Sequence, residues 1–300
     1  MGLETILSED EKKWWKATIK AFRKKHVKND DFYIQRRLTD GSLSKEQIRA
    51  NVESLLVDAR ELIYRDYSVD EAELNRSLMT HLFTLREGPL KLLDDILEEL
   101  NLADRDWGTG TYDARKMQIA ELAGNYAGGL FAYIYELSLS NTQSRRSRAG
   151  QTFEALLEAG LDVFGVPFDS QGKLGKANFQ KGGLGKKVDL VVPNIEGYIH
   201  SRTKCAIVTA KTTLRERWQE VVEELQRSGV PHIYLATLDD SIALDKVATV
   251  RQHNITLVVK KSVWEAKFKD EGSVEHFQHF YSKTLPHLLE VWPDYAKEKI

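Results

Sequence analysis

Four short runs of β-branched and aliphatic residues constrain the fold more than any other feature of this chain: Val188-Asp-Leu-Val-Val, Lys204-Cys-Ala-Ile-Val-Thr-Ala, His232-Ile-Tyr-Leu-Ala-Thr and Ile255-Thr-Leu-Val-Val. Each has the length and composition of a strand. Asn194-Ile-Glu-Gly197 reads as a turn that joins the first two as antiparallel neighbours. The helical segment Leu214 to Ser228 between the second and third requires a parallel crossover instead. The predicted class is therefore α/β, with a mixed sheet flanked by helices. A helix from about Arg148 to Phe164 precedes the sheet, and aromatic-rich helical material from Ser273 to Tyr295, with Phe277, Phe280, Tyr281, Leu288 and Trp292, closes the chain.

The N-terminal part has a different period. Ile48, Val52, Leu55 and Leu56, and then Leu90, Leu93, Ile96 and Leu100, recur at three- and four-residue intervals, the mark of amphipathic helices. Asp31-Phe-Tyr-Ile and the Asp40-Gly41 turn are expected to interrupt them. Asn101 to Tyr112, with Gly108 and Gly110, reads as a loop, and a further helix is expected from Asp113 to Leu139, with Gly124, Gly128 and Gly129 marking close packing or a break. This divides the chain into a helical region, 1–112, and an α/β core, 113–300.

Three hundred residues can bury a core without disulfides, and the single Cys205, set in an apolar run, reads as a buried structural thiol in a reducing compartment. The charged N-terminus lacks the apolar core of a signal peptide, and no stretch approaches the roughly 20 apolar residues of a membrane span. A soluble, cytoplasmic protein is expected. The net charge of −2 does not point to a polyanionic partner, but its distribution does. Gln143 to Gly150 reads QSRRSRAG, and Gln171 to Lys187 carries Lys173, Lys176, Lys181, Lys186 and Lys187 with no acidic residue. Such clusters suit a phosphate backbone or, more plainly, a solvated surface.

Chemistry enters with Asp189 and Lys211. A carboxylate among Val188, Leu190, Val191 and Val192 is costly to bury unless it is paired, hydrogen-bonded or bound to a cation. Lys211 ends the next strand, so the two form either a structural ion pair or part of a phosphodiester-hydrolysing site, which needs a divalent metal on oxygen ligands and often a lysine. The usual version of such a site has an acidic residue two positions before the lysine, where this chain has Thr209. The following helix can supply the missing ligand. With Trp218, Val221, Val222 and Leu225 as its buried stripe, the 100° step per residue places Arg217, Glu220 and Glu224 along one side. Glu224, about two turns in, is the first choice; Glu220 is second, and Glu223 points elsewhere. An ordinary charged helix face is the plain alternative. Arg215-Glu-Arg217 opens this helix, and arginine suits the guanine O6 and N7 edge while glutamate accepts from the cytosine N4 amine. A helical salt-bridge patch is the competing reading of that tripeptide.

Together, AKTTLRERW (Ala210 to Trp218), Asp189 upstream and Glu224 downstream resemble the Type II restriction endonucleases that share a CCGG or CCNGG core, the EcoRII-like branch of the PD-(D/E)xK nucleases. That family carries its metal-binding carboxylate on the helix after the lysine, which accounts for Thr209. The resemblance extends to SRRSRAGQTFE (Ser144 to Glu154), where Glu154 matches an accessory acidic residue of the active site and Glu158 is the local competitor. It implies that Arg215, Glu216 and Arg217 read C·G pairs from the major groove and Gln143 from the minor groove. Arg86 in FTLREG resembles one wall of a pocket for a flipped central base. The aromatic expected a turn later is Leu90 here, so another aromatic such as Trp107 stacks, the base is held differently, or no base is flipped.

The resemblance implies a restriction-endonuclease-like fold, Mg²⁺ held by Asp189 and Glu224, water positioned by Lys211, and double-stranded DNA as substrate. It also implies a homodimer matching a palindromic site and a cognate DNA methyltransferase as functional partner. The helical region would clamp the duplex. Two other functions compete: a repair or junction-resolving nuclease of the same fold, which would not need Arg215, Glu216 and Arg217, and a non-catalytic nucleic-acid-binding protein.

Overall fold

The computed structural model describes residues 6–104, 112–184, 188–214, 221–223 and 231–292. Its contacts group the chain into two units, 1–29 with 65–147, and 30–64 with 148–300. The grouping is discontinuous in sequence because Tyr33, Ile34, Ile48, Leu55 and Leu56 share a core with Phe153, Leu157 and Tyr281.

The first unit is helical. Helix α1 (Glu9–His26) starts at Ser8, whose side chain accepts from the Glu11 amide at 3.2 Å, and acidic residues in its first turn and basic ones in its last suit the helix dipole. It packs Trp15 and Ile19 against Leu74, Leu78 and Leu82 of α4 (Ala59–Leu85) and Leu130, Tyr133 and Leu137. Helices α5 (Glu87–Asp104) and α6 (Tyr112–Gly129) follow. The chain breaks after Gly129 and resumes in α7 (Phe131–Phe164). Of the three glycines expected to mark close packing or a break, Gly124 and Gly128 lie within α6 and Gly129 ends it, packed on Leu92; the helix predicted from 148 is the second half of a longer one. Among the described residues no helix is long and apolar enough to cross a membrane.

In the second unit, α2 (Asp30–Thr39) and α3 (Lys45–Ala50) lead into α4. Asp31 to Ile34 thus lie inside a helix, where Tyr33 and Ile34 supply its buried face; only the turn at Asp40-Gly41 interrupts. Among the described residues the sheet has six strands in chain order: β1 (Asp169–Ser170), β2 (Leu190–Val192), β3 (Ala206–Lys211), β4 (Ile233–Thr237), β5 (Ile255–Val259) and β6 (Val274–His276). The first two pairings are antiparallel and the other three parallel. Alternate residues enter two cores: Val208, Ala210, Ala236 and Val258 join the layer with α7, while Ile207, Leu235 and Leu257 face the other layer.

Two local expectations are corrected, and one strand is added. Asn194 does not open a simple turn: its side chain accepts from the Gly197 amide at 2.7 Å and caps a short helix, Ile195–His200, between β2 and β3. Strand β1 is too short to show a period. Strand β6 interrupts the expected closing helix because Leu257 of β5 donates its amide to the Ser273 carbonyl and draws the segment into the sheet.

Candidate active site

The sheet extends by backbone hydrogen bonds to Asp189, just before β2. Its amide donates to the Val208 carbonyl at 3.0 Å, and its carbonyl accepts from the Gln171 amide at 2.9 Å. With its backbone held on both sides, the side chain reaches across to the end of β3. There Asp189 Oδ2 accepts from the Ala210 amide at 2.7 Å and from the Thr209 hydroxyl at 3.1 Å. Lys211 Nζ lies 3.8 Å from the same oxygen and donates to Thr209 Oγ1 at 3.3 Å and to the Ala210 carbonyl at 3.0 Å. Both charged side chains are largely buried, 13% and 14% exposed.

Thr209 is the residue that sequence reasoning undervalued. It marks a vacancy in a carboxylate pattern, but its buried hydroxyl donates to Asp189 and accepts from Lys211, and so fixes the pair. A threonine in a β-branched run carries no signal of that role.

Glu154, half-buried on α7, completes the described cluster. Burial first, and then the charge of Asp189, push its carboxyl up to about 7, while Lys211 opposes the shift. Two carboxylates close enough to repel, with one lysine between their effects, form a hard-oxygen environment that a divalent cation would neutralise. The donors fit such an ion. Among the described residues no group of three acidic, histidine or cysteine side chains is assembled, and Glu224 lies outside them. Glu158, the competitor, is instead occupied by Lys173 at 3.0 Å.

The basic clusters divide by geometry. Lys173 is held by Glu158 and by the Phe168 ring. Arg145 donates to Glu71, which is 2% exposed and also receives the Tyr67 hydroxyl at 2.6 Å. Arg148 pairs with buried Asp30. Arg146, Lys176 and Lys181 have no ion-pair partner among the described residues, and Lys186 and Lys187 fall outside them. Cys205 is buried, and burial pushes its thiol up to about 12, as befits a structural residue.

Of the expected recognition residues, Gln143 is exposed on the part of α7 that belongs to the first unit. Arg215, Glu216 and Arg217, as well as Trp107, lie outside the described residues. The approach to them is anchored: Asp239 accepts from the Leu214 amide at 2.8 Å, a positioning contact that no sequence pattern announced. Arg86 lies 3.8 Å above the ring of Trp14, and its Nε is 3.2 Å from Glu11, which also accepts from Tyr133. The aromatic face against Arg86 is therefore Trp14, while Leu90 is exposed.

A mixed sheet whose strand ends carry Asp189 and Lys211 is the core of the restriction-endonuclease-like fold. Residues 116–279 match the EcoRII C-terminal family, and the chain belongs to that family. It is 46% identical over 173 residues to the Type II restriction enzyme SsoII of Shigella sonnei, covering 56% of each chain. It is 25% identical over 132 residues to the Type II restriction enzyme EcoRII of Escherichia coli, covering 42% of this chain and 30% of that one. The matches thus span about half or less of the curated relatives. The structure of metal-depleted Ecl18kI in complex with uncleaved DNA superimposes with a TM-score of 0.71 at 28% identity, over 96% of this chain and 87% of the other.

Proposed function

We propose that this protein is a Type II restriction endonuclease that hydrolyses double-stranded DNA at a short palindrome with a CCGG or CCNGG core. The observation that carries this reading is the buried Asp189–Thr209–Lys211 arrangement with Glu154 beside it. Membership of the EcoRII C-terminal family and the likeness to a DNA-bound structure support it.

Enzymes of this kind use a divalent metal; here we propose Mg²⁺, held by Asp189 and Glu224 with Glu154 assisting. When bound, such an ion lowers the pKa of water and offsets charge on the phosphoryl oxygens. Lys211, fixed by Thr209 and the Ala210 carbonyl, positions the attacking water and compensates developing charge. Arg215, Glu216 and Arg217 read C·G pairs from the major groove and Gln143 reads them from the minor groove. The helical region, 1–112, clamps the duplex, and 113–300 supplies the nuclease core. Arg86 on Trp14 is one wall of a pocket for a flipped base. The working form is a cytoplasmic homodimer whose two-fold axis matches that of the target, paired functionally with a DNA methyltransferase.

Plasmid digestion in Mg²⁺ followed by sequencing of the cut ends tests this. Discrete fragments sharing one palindrome are expected. Smearing or structure-dependent nicking would assign the chain to repair or junction resolution, and an absence of cleavage would leave a binding protein.

A further inference from the structure

We infer that Gly150 is the point of closest approach of a DNA sugar-phosphate backbone to the nuclease core. The inference rests on the proposed DNA-cleaving activity. Gly150 lies in the interior of α7, where glycine is the least favourable residue after proline. It is not one of the glycines with positive φ, which among the described residues are Gly41, Gly165, Gly175 and Gly183, so backbone freedom does not explain it. Internal packing does not explain it either. In the same helix a Cβ on Gly160 would sit 2.9 Å from the Tyr281 hydroxyl, whereas a Cβ on Gly150 would meet nothing within 4 Å. Among the described residues nothing would meet a methyl group here. The bare backbone instead suits a ligand that comes closer than a side chain permits.

Position identifies the ligand. Gly150 and Glu154 are four residues apart, one above the other on one face of α7, about 6 Å along its axis. Glu154 lies near enough to Asp189 and Lys211 to feel the charge of both. A strand delivered to those carboxylates passes within a turn of Gly150. Lys176, whose charge also acts on Glu154 and which has no ion-pair partner among the described residues, supplies the cation that a phosphate would meet. Arg148, the nearer cation in sequence, is already held by Asp30.

The test is a size series, Gly150→Ala, Gly150→Ser and Gly150→Leu, in the full chain. Melting temperature is measured without DNA. Affinity is measured in Ca²⁺ for two synthetic duplexes, one with a central CCGG and one with a central CCTGG, using whichever the wild type binds. Gly150→Ala is expected to melt about 1–3 °C above wild type while binding at least roughly tenfold more weakly, with a further loss for leucine. Wild-type affinity across the series would overturn the inference, as would a lowered melting temperature for alanine, which would mean that the methyl collides with the protein itself. A wild-type protein that binds and cuts DNA beside unaffected variants removes this inference alone. A wild type that does neither removes the activity on which it rests.

Discussion

The two ends of the QSRRSRAGQTFE segment show how alike charges can differ in purpose. At its start Arg145 meets Glu71 and Arg148 meets Asp30, each a cation matched to one buried carboxylate. At its end Glu154 faces the charge of Asp189 as well as that of Lys211, and its proton is held to about 7. Matched pairs describe a scaffold. Crowded carboxylates that share a lysine describe a place where the folded chain carries unrelieved repulsion, and such places are candidates for catalysis.

The largest effect that could break this comparison is at Lys211. Lys211→Ala is expected to lower single-turnover cleavage by about 10³-fold or more while sparing duplex binding in Ca²⁺, if the lysine has the proposed role on the reacting groups. Equal loss of both would make it one more scaffold cation. Next comes Arg145→Ala, which leaves the buried Glu71 carboxylate only its Tyr67 donor; urea denaturation should show a loss of about 1–3 kcal/mol. A stability unchanged from wild type would show that Tyr67 alone satisfies Glu71.

Glu154→Gln sharpens the comparison through pH. Because the folded-state pKa is raised, the stability tied to the Glu154 proton is fully present below about 4.5 and is lost as pH rises through about 7. In chelator, the glutamine variant should therefore match wild type near pH 4.5 and become more stable above pH 7, by about 1–3 kcal/mol. A difference independent of pH would remove the repulsion from the account. The smallest effect is expected for Arg146→Ala, which should reduce the salt dependence of DNA binding by about one phosphate contact. An unchanged slope would place Arg146 off the DNA.

The sheet's central strands were legible because their runs are apolar and of strand length, and the parallel pairing of β3 with β4 followed from the helical period read in the sequence between them. Strands β1 and β6 were not, since two or three residues carry no period and their pairing depends on distant backbone partners. Asp189 and Lys211 could be read because a charge in an apolar strand demands a partner. Thr209 and Asp239 could not: one acts through a hydroxyl and the other through a backbone amide 25 residues away. The arginine cluster read as a phosphate-binding or solvated run, yet two of its three members are paired with Glu71 and Asp30, which lie far off in sequence.

The central claim is that Asp189 serves catalysis rather than holding Lys211 in place. The most direct measurement is Mg²⁺-dependent cleavage of plasmid DNA by Asp189→Asn beside its duplex affinity in Ca²⁺. The account predicts a folded variant with near wild-type binding and no detectable cutting. Cleavage at the wild-type rate would contradict it.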